Sequence, residues 1–451
     1  MVDAGGASIR WLGTWCAAVM LGSGFGSAPA LAGELDAGAG YSLAYDSNIH
    51  QAATPVADET QAVIAGFSYV EHTLDLHAQM LGQGEWRDYV HGELDPNSAY
   101  YFNGAVLWTI TPRQFFWSIN DVARQVRINP AAADVPANRT NTNSLGTGPD
   151  YTVRLTRTDT AAFGGRYGRF DTKGAAGDNE RYSAYARGLR QLGAYQALSV
   201  NYEATRVFFS DPTVLYQRAF REDLFMRLDS RIASTNSINV DLGATRVQRK
   251  GGRDVRGQLA RLTLTRRITP TSTGKLSLAD QFSDPYIDLL AGVTSATVPT
   301  EGAPATPDAG TIPITDDLYR GRRGQLSYSS NDGRIQYLLR AYIRTFDFEI
   351  NNQNDQKEQG GQLEWYWRYL NAAQLYVYAG YLKRTFLDSG LKDREKDFTL
   401  GVTYKVSRNV AFTAQGGRIE RETGGTGFVD NRAMLLLGYS TGPLYTVRTR
   451  R

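Results

Sequence analysis

The chain has 451 residues and a formal net charge of +3 at pH 7, a near balance that favours an ordinary mixed surface over a nucleic-acid partner. Mean hydropathy is −0.38, and after about the first thirty residues no apolar run approaches the roughly 20 residues of a membrane helix. Length alone allows two or three soluble domains, but composition excludes a helical membrane protein.

The N-terminus is typical of an export signal. Arg10 precedes an apolar, small-residue stretch that ends near Gly26, and Ala28–Ala32 offers small-x-small cleavage sites. We therefore predict a signal peptide over residues 1–32. Cys16 is the only cysteine and lies within it, so the mature chain is expected to lack disulfides and any cysteine-based metal site or nucleophile.

Alternation of apolar and polar residues begins directly after this signal and continues to the end of the chain. Leu35 to Tyr45 forms the first such segment, and Arg334–Phe348 is the clearest. In the latter, Ile335, Leu339 and Ile343 fall on one face with Tyr337 and Ala341, while polar or charged residues dominate the other. Because side chains of a strand alternate between two faces, each segment predicts a strand with one apolar and one polar surface.

The connections between these strands also alternate, in length. Long ones follow odd-numbered strands almost without exception, among them Asp46–Asp58, Arg127–Thr142 and the Pro/Ala/Thr/Gly-rich Ser283–Asp316. Short turns follow even-numbered strands. This asymmetry is typical of outer-membrane barrels, which have short periplasmic turns, longer extracellular loops and an even strand number. Soluble sandwiches lack such a rule, and propellers need a sequence repeat that is not found.

We therefore predict an all-β fold: a single transmembrane antiparallel up-and-down β-barrel of about 20 strands, with 18 as the nearest alternative. It would occupy residues 33–440 and be followed by a basic tail over 441–451. Arg218 and Glu222 share the apolar face of strand ten near its long loop. Charges facing lipid are tolerated near the interface but not at mid-membrane, so the strands are expected to project beyond the membrane on that side.

The opposite face of the strands carries arginines and carboxylates mixed with Asn and Thr. In a barrel of this size these side chains would line a water-filled lumen. Arginine suits carboxylate or phosphate groups on a passing polymer; alternatively, the charges pair with one another and rigidify the interior. The pore-lining candidates are Arg154, Arg166, Arg221, Arg227, Arg261, Arg340, Arg344, Glu203, Asp223, Asp241 and Asp397.

No catalytic constellation is recognisable. The four histidines, His50, His72, His77 and His91, show no H-x-x-x-H or H-E-x-x-H spacing, and no G-x-S-x-G elbow occurs. We accordingly expect no enzyme activity, no cofactor and no metal.

The end of the first strand, Gly40–Ile49 (GYSLAYDSNI), carries an aromatic–Asp–x–Asn–Ile segment. It resembles the opening of a family of outer-membrane barrels associated with exopolysaccharide export or exosortase systems. The resemblance implies a component of polysaccharide secretion and brings no catalytic residues. One departure is that Tyr439 closes the last strand and a basic tail follows, whereas such barrels commonly end on an aromatic residue.

The leading hypothesis is a channel integral to the bacterial outer membrane, with exopolysaccharide as its cargo. Its expected partners are outer-membrane lipid, polysaccharide and periplasmic export components, without nucleic acid; the oligomeric state is left open. The alternatives are a general diffusion porin for small solutes and a plugged barrel that acts as a surface binding or adhesion protein. In either channel, Ser283–Asp316 could fold inward as a constriction or lie outside.

Overall fold

The computed structural model describes residues 33–173, 177–210, 217–294, 317–350 and 352–441, without the side chains of 291–294. The predicted signal peptide, Cys16 and all but the first residue of the predicted basic tail lie outside these ranges.

The described residues form one antiparallel sheet of 20 strands. Each strand pairs with its sequence neighbours, and β1 pairs with β20, with Gly38 opposite Ser440, so the sheet closes into a barrel. The predicted all-β barrel and its strand number are confirmed. The strands are β1 Glu34–Asp46, β2 Asp58–His72, β3 Leu76–Tyr89, β4 Asn97–Thr111, β5 Phe115–Arg127, β6 Arg139–Arg154, β7 Asp159–Thr172, β8 Asn179–Gly193, β9 Gln196–Phe209, β10 Arg218–Ala233, β11 Asn236–Arg249, β12 Val255–Thr269, β13 Ser272–Ser283, β14 Tyr319–Asn331, β15 Ile335–Phe348, β16 Gln356–Leu370, β17 Ala373–Phe386, β18 Lys392–Lys405, β19 Val410–Thr423 and β20 Thr426–Ser440.

Strand β15 shows why the alternation predicts the two faces of the wall. Leu339 and Ile343 are 44% and 46% exposed on the outward face, whereas Phe346 and Phe348 are buried on the inward face. Tyr319 of β14 packs between these two rings. Outward apolar side chains recur around the barrel, so its outside carries an apolar band.

The connections follow the predicted rule with one exception. The chain turns from β19 to β20 through Gly424 and Gly425 alone, although this connection follows an odd strand. Both residues have positive φ, +60° and +88°. A two-residue hairpin turn needs such angles, and glycine adopts them without strain.

Two further departures concern the long connections. The connection after β5 covers only 128–138 and ends in a 3-10 helix, Pro136–Asn138, so the predicted loop was too long at its C-terminal end. The stretch after β13, predicted as irregular, begins with an α-helix, α1 (Pro285–Thr294). A second 3-10 helix, Asn352–Asn354, lies between β15 and β16. No helix in the described ranges is long and apolar enough to cross a membrane.

The two charged side chains on the outward face of β10, Arg218 and Glu222, lie towards the end of this strand that carries the longer connection. The guanidinium of Arg218 lies 5.6 Å from the ring centroid of Phe208. Glu222 accepts a hydrogen bond of 2.9 Å from the Tyr202 hydroxyl. Each of the two charges that interrupt the apolar face of β10 therefore has a contact with an aromatic side chain of β9.

Candidate functional site

The interior of the barrel is the candidate site, and α1 enters it from the end of β13. The helix packs against β4, β5 and β6. The hydroxyl of Tyr286 lies against Gly146 of β6 and Gly168 of β7, where any Cβ would meet it. The guanidinium of Arg181 on β8 stacks over the Tyr286 ring, 4.4 Å from its centroid, and pairs with Asp284 at 2.8 Å.

The same helix is tied to the opposite side of the barrel. Asp288 accepts hydrogen bonds from Ser283 at 2.5 Å and from the hydroxyl of Tyr319 on β14 at 2.6 Å, and it forms an ion pair with Arg323 of β14. Because β6 and β14 are eight strands apart in a ring of 20, one helix can touch both only by crossing the interior. Part of the predicted Ser283–Asp316 loop therefore folds inward, while 295–316 lie outside the described residues.

The connection 128–138, called the strap below, forms a second crossing. Its backbone carbonyls are bound by arginines from the far wall. Arg384 of β17 donates to the carbonyl oxygen of Pro130 at 2.8 Å. Arg421 of β19 donates to Pro130 at 2.7 Å and to Ala132 at 2.6 Å. The strap thus reaches from β5 and β6 to β17 and β19 at the long-loop end of the barrel.

Buried carboxylates hold these two arginines in place. Arg384 pairs with Glu358 of β16 at 2.8 Å and with Asp393 of β18 at 2.9 Å, and the side chains of Arg384 and Glu358 are fully buried. Arg421 pairs with the other oxygen of Asp393 at 2.8 Å. A buried charge is tolerated only when it is paired and hydrogen-bonded. We call Glu358, Arg384, Asp393 and Arg421 the clamp.

A carboxylate within the strap anchors its other side. Asp134 pairs with Arg127 at 2.8 Å and with Arg139 at 2.7 Å, and its backbone N–H donates to Gln51 at 2.9 Å. Arg127 also reaches Glu395 of β18 at 3.2 Å. Burial by itself would raise the pKa of Asp134, but the guanidinium groups of Arg139 and Arg127 outweigh it and hold that pKa well below its usual range.

The predicted pore-lining residues fall on the inward face, in several different environments. The Nη2 atom of Arg166 on β7 contacts both carboxylate oxygens of Asp150, at 2.6 and 2.7 Å. Arg154 is exposed at a short turn, where it donates to the carbonyls of Thr156 and Arg157, both at 3.1 Å. The first is paired within the wall, and the second stabilises a turn.

The structure brings six other candidates together on β9–β12. Arg221 donates to Asp223 at 2.8 Å, and Glu203 lies directly opposite Asp223 in the strand register. Asp241 is shared by Arg227 at 2.7 Å and Arg261 at 3.3 Å. These side chains form one continuous charged surface in which most charges have a partner of opposite sign.

The remaining candidates are separated from that surface. Arg340 and Arg344 lie on β15, where the Arg344 guanidinium stacks 4.6 Å from the ring centroid of Tyr342. Asp397 lies on β18, opposite Gly380 of β17. Arginine predominates on the described inward face from β7 to β15, and carboxylates predominate from β16 through β20 to β3. Further inward carboxylates of this second wall are Glu364, Glu395, Asp430, Asp46 and Glu85.

The sequence reading missed the clamp and the strap. Glu358, Arg384, Asp393 and Arg421 all have inward parity at the long-loop ends of consecutive strands. That shared position is a usable signal for an ion-pair cluster, since neighbouring strands place such residues side by side. The partners Pro130 and Ala132 act through backbone carbonyls, which leave no trace in the sequence.

The histidines form pairs. His91 lies 2.9 Å from Asp58, and His50 lies 3.2 Å from Glu93. His72 and His77 face each other across a short turn, with 3.3 Å between their Nδ1 atoms. Within the part of the chain that the structure describes, no three His, Cys, Asp or Glu side chains converge as a metal site would require.

No model of a protein family matches the sequence, and no curated protein matches it significantly. Among solved structures the barrel is similar to the ferric enterobactin receptor PfeA, with 11% identity, coverage of 90% of this chain and 81% of that chain, and a TM-score of 0.46. It is similar to the siderophore receptor PirA from Pseudomonas aeruginosa (11% identity, 91% and 80% covered, TM-score 0.45) and to the FrpB iron transporter from Neisseria meningitidis (10%, 90% and 81%, 0.44). Scores this low carry no conclusion about function.

Proposed function

We propose that this protein is a channel of the bacterial outer membrane, which passes polar cargo through the barrel and catalyses no reaction. One observation carries the proposal: the sheet closes on itself with an apolar band outside and a charged, hydrogen-bonded surface inside. A closed barrel leaves no unpaired strand edge, and it is the one all-β architecture that satisfies every backbone group within a membrane.

The cargo we propose is exopolysaccharide. This choice rests on the resemblance of Gly40–Ile49 to barrels of polysaccharide export, and it agrees with the inward arginines. A guanidinium binds carboxylate or phosphate substituents on a polymer through two parallel hydrogen bonds. A general diffusion porin would use the same interior for small solutes, without preference for a polymer.

The strap and α1 favour a second candidate, a plugged barrel that acts as a surface binding or adhesion protein. Both segments cross the interior, and the buried clamp fixes one of them. A barrel closed in this way would expose its long connections as a binding surface and conduct nothing.

Planar-bilayer recording separates the candidates. The channel predicts discrete conductance steps from purified protein, and an exopolysaccharide channel predicts transient blockades when acidic polysaccharide is added on one side. A general porin would conduct without such blockades. A barrel that inserts, as shown by protease protection in the same vesicles, yet never conducts would contradict the channel and support the plugged form.

A further inference from the structure

Five basic side chains cluster on the outward face of β16–β18, near the ends of these strands that carry the longer connections. Lys383 of β17 lies directly opposite Arg394 of β18. Thr385 of β17 lies between Lys357 of β16 and Lys392 of β18, which are its two partners in the strand register. Neighbouring strands are roughly 4.8 Å apart, so one multiply charged group can contact several of these side chains. We call the five the basic patch: Lys357, Lys383, Lys392, Arg394 and Lys396.

The side chains of the basic patch are reachable, and three of them are unpaired. Lys357, Lys383 and Lys392 form no ion pair or side-chain hydrogen bond with any described residue. Lys383 is partly exposed, and the other four members are exposed. Like charges directly opposite each other in a sheet, as at Lys383 and Arg394, are destabilising. A bound anion removes that repulsion.

The carboxylates nearest the basic patch lie at its β19 edge and are already shared. Glu422 lies 3.7 Å from Arg394, in a pair whose side chains are 59% and 50% exposed. Glu420 binds Lys396 at 3.3 Å and Arg418 of β19 at 2.8 Å. The outward face of β16–β19 therefore carries six basic and two acidic side chains, a clear positive excess.

The next four strands around the barrel provide a comparison. The structure describes every outward position of β20, β1, β2 and β3, and these positions include no Lys or Arg. The long-loop end of their outward face carries Glu59 of β2 and Asp88 of β3 instead. On β9 and β10, Arg206 and Arg218 both lie over the ring of Phe208. A positive excess of unpaired lysines is therefore not a general feature of the barrel rim.

The basic patch directly adjoins the apolar band. Tyr381 of β17 and Phe398 of β18 are 43% and 49% exposed, and each is followed, two residues nearer the long-loop end, by a member of the patch. That spacing is roughly 7 Å along a strand. A Cβ at Gly361 of β16, opposite Tyr381, would meet no side chain within 4 Å, so the wall beside this ring is open to an acyl chain. Tyrosine rings lie at the headgroup level of a membrane, so the basic patch lies at the depth of lipid headgroups.

We propose that the basic patch binds the phosphate groups of a lipid in the outer leaflet of the membrane. Lys383 and Arg394 hold one phosphate between them, and Thr385 donates its hydroxyl to the same headgroup. A phosphate carries up to two negative charges and several strong acceptor oxygens, which match clustered guanidinium and ammonium donors. Clusters of four to eight basic residues beside a membrane typically bind anionic headgroups.

Continuity with the apolar band favours a lipid over a free phosphate. The patch ends where the lipid-facing surface begins, so one molecule can contact both. The proposal rests on the membrane placement in the proposed function, because only there does the apolar band hold a lipid beside the patch. The long-loop side is the outer side of such barrels, which assigns the patch to the outer leaflet.

Native mass spectrometry of the purified barrel in an uncharged detergent, titrated with diphosphorylated lipid A, tests the binding. The double variant Lys383→Gln/Arg394→Gln is expected to bind this lipid about 25-fold more weakly, because each basic side chain at a charged membrane surface contributes roughly a factor of five. Arg320→Gln/Arg322→Gln is the matched control, since it removes two outward arginines of β14 that already pair with carboxylates. It is expected to bind like the wild type, and equal weakening in both double variants overturns the proposal.

The ligand itself separates the possible sources of phosphate. Dephosphorylated lipid A is expected to bind more weakly than the diphosphorylated form, and inorganic phosphate at the same concentration is expected not to displace the lipid. The charge-swapped variant Lys383→Arg/Arg394→Lys is expected to bind like the wild type. Equal binding of the two lipids, displacement by inorganic phosphate, or a charge-swapped variant as weak as the glutamine variant overturns the proposal.

The lipid site and the channel can fail separately. Heat-dependent mobility on gels shows that each variant is a folded barrel, and bilayer insertion and conductance of the same preparations test the proposed function. A barrel that inserts and conducts without preferring the phosphorylated lipid overturns the lipid site alone. A protein that does not insert into bilayers overturns both proposals.

Discussion

The two ends of the barrel interior differ although the same strands build both. At the long-loop end, the inward charges of Arg384 and Glu358 are fully buried where the strap meets the wall, and Arg384 donates to the strap carbonyl of Pro130. At the short-turn end, inward arginines such as Arg231, Arg267 and Arg368 are exposed. The strand pattern is the same in both halves. The difference lies in the strap, which buries the inward charges that it contacts, whereas the inward arginines at the other end stay exposed.

The largest effect is expected from Arg384→Met. Removing Arg384 leaves Glu358 and Asp393 without their shared partner in a buried site, which destabilises a protein by about 3–5 kcal/mol. The Pro130 carbonyl of the strap also loses the hydrogen bond that Arg384 donates to it. The strap should then be held less firmly, and single-channel conductance should rise. Denaturant unfolding and bilayer recording measure the two effects.

Arg368→Met is the matched control. Like Arg384, Arg368 lies on the inward face, but it is exposed at the short-turn end of β16. Its unfolding free energy should change by no more than about 0.5 kcal/mol. If the two variants were equally destabilised, the distinction between the two ends would fail.

Tyr286→Ala comes next. The ring fills the space above Gly146 and Gly168 and supports Arg181. Its loss leaves a cavity that costs about 2–4 kcal/mol and loosens α1 from the β4–β6 wall. Conductance should increase while ion selectivity stays near that of the wild type. Hydrogen exchange of the α1 backbone provides the direct measurement, and unchanged protection would show that the helix is held from the β14 side alone.

A pH titration tests whether the Asp134 carboxylate holds the strap closed. The pKa of Asp134 is depressed, so its ionised form stabilises the closed strap; that contribution is complete above the ordinary carboxyl pKa of about 3.9 and is lost as pH falls towards the lower folded value. Conductance should therefore be constant from pH 7 to pH 5 and rise below about pH 4. Asp134→Asn should show raised conductance at pH 7 already, and the absence of any difference from wild type would contradict the role of this carboxylate.

The sequence predicted the wall far better than what lies within it. In β15 the alternation from Ile335 to Phe348 identifies both faces, because burial on one side and exposure on the other impose a period of two. Nothing comparable marks the clamp: Arg384 meets Pro130 across 254 residues and binds a backbone carbonyl. Helix α1 was missed because its apolar residues occur in a stretch without regular periodicity, and contacts with Tyr319 and Arg323 hold it there.

The position of an arginine on the inward face likewise did not predict what its guanidinium binds. Arg154 and Arg344 both lie on the inward face of their strands, but their surroundings differ. Arg344 stacks on Tyr342 at the β15 edge of the arginine-rich wall, whereas Arg154 binds carbonyls of its own turn. The alternation along a strand predicts which face a residue occupies. Its role depends on the residues that surround it in the folded structure.

The arginine-rich wall and the carboxylate-rich wall are expected to have opposite effects on ion selectivity. Arg340→Gln with Arg344→Gln should lower the ratio of anion to cation permeability about twofold, since both charges belong to the arginine-rich wall. Asp397→Asn on the carboxylate-rich wall should shift the ratio the opposite way. Reversal potentials in a salt gradient measure both. Shifts of the same sign would show that the two walls do not act as separate fields.

The smallest effect is expected from Arg154→Gln. This arginine faces inward like Arg344, but its guanidinium binds the carbonyls of Thr156 and Arg157 at the exposed end of β6. Water replaces such exposed hydrogen bonds, so the unfolding free energy should change by no more than about 0.5 kcal/mol. The permeability ratio should remain that of the wild type. A shift as large as that of the Arg340/Arg344 double variant would mean that the charge at the short-turn rim selects ions, and that the exposed end of the barrel acts on cargo as strongly as its middle.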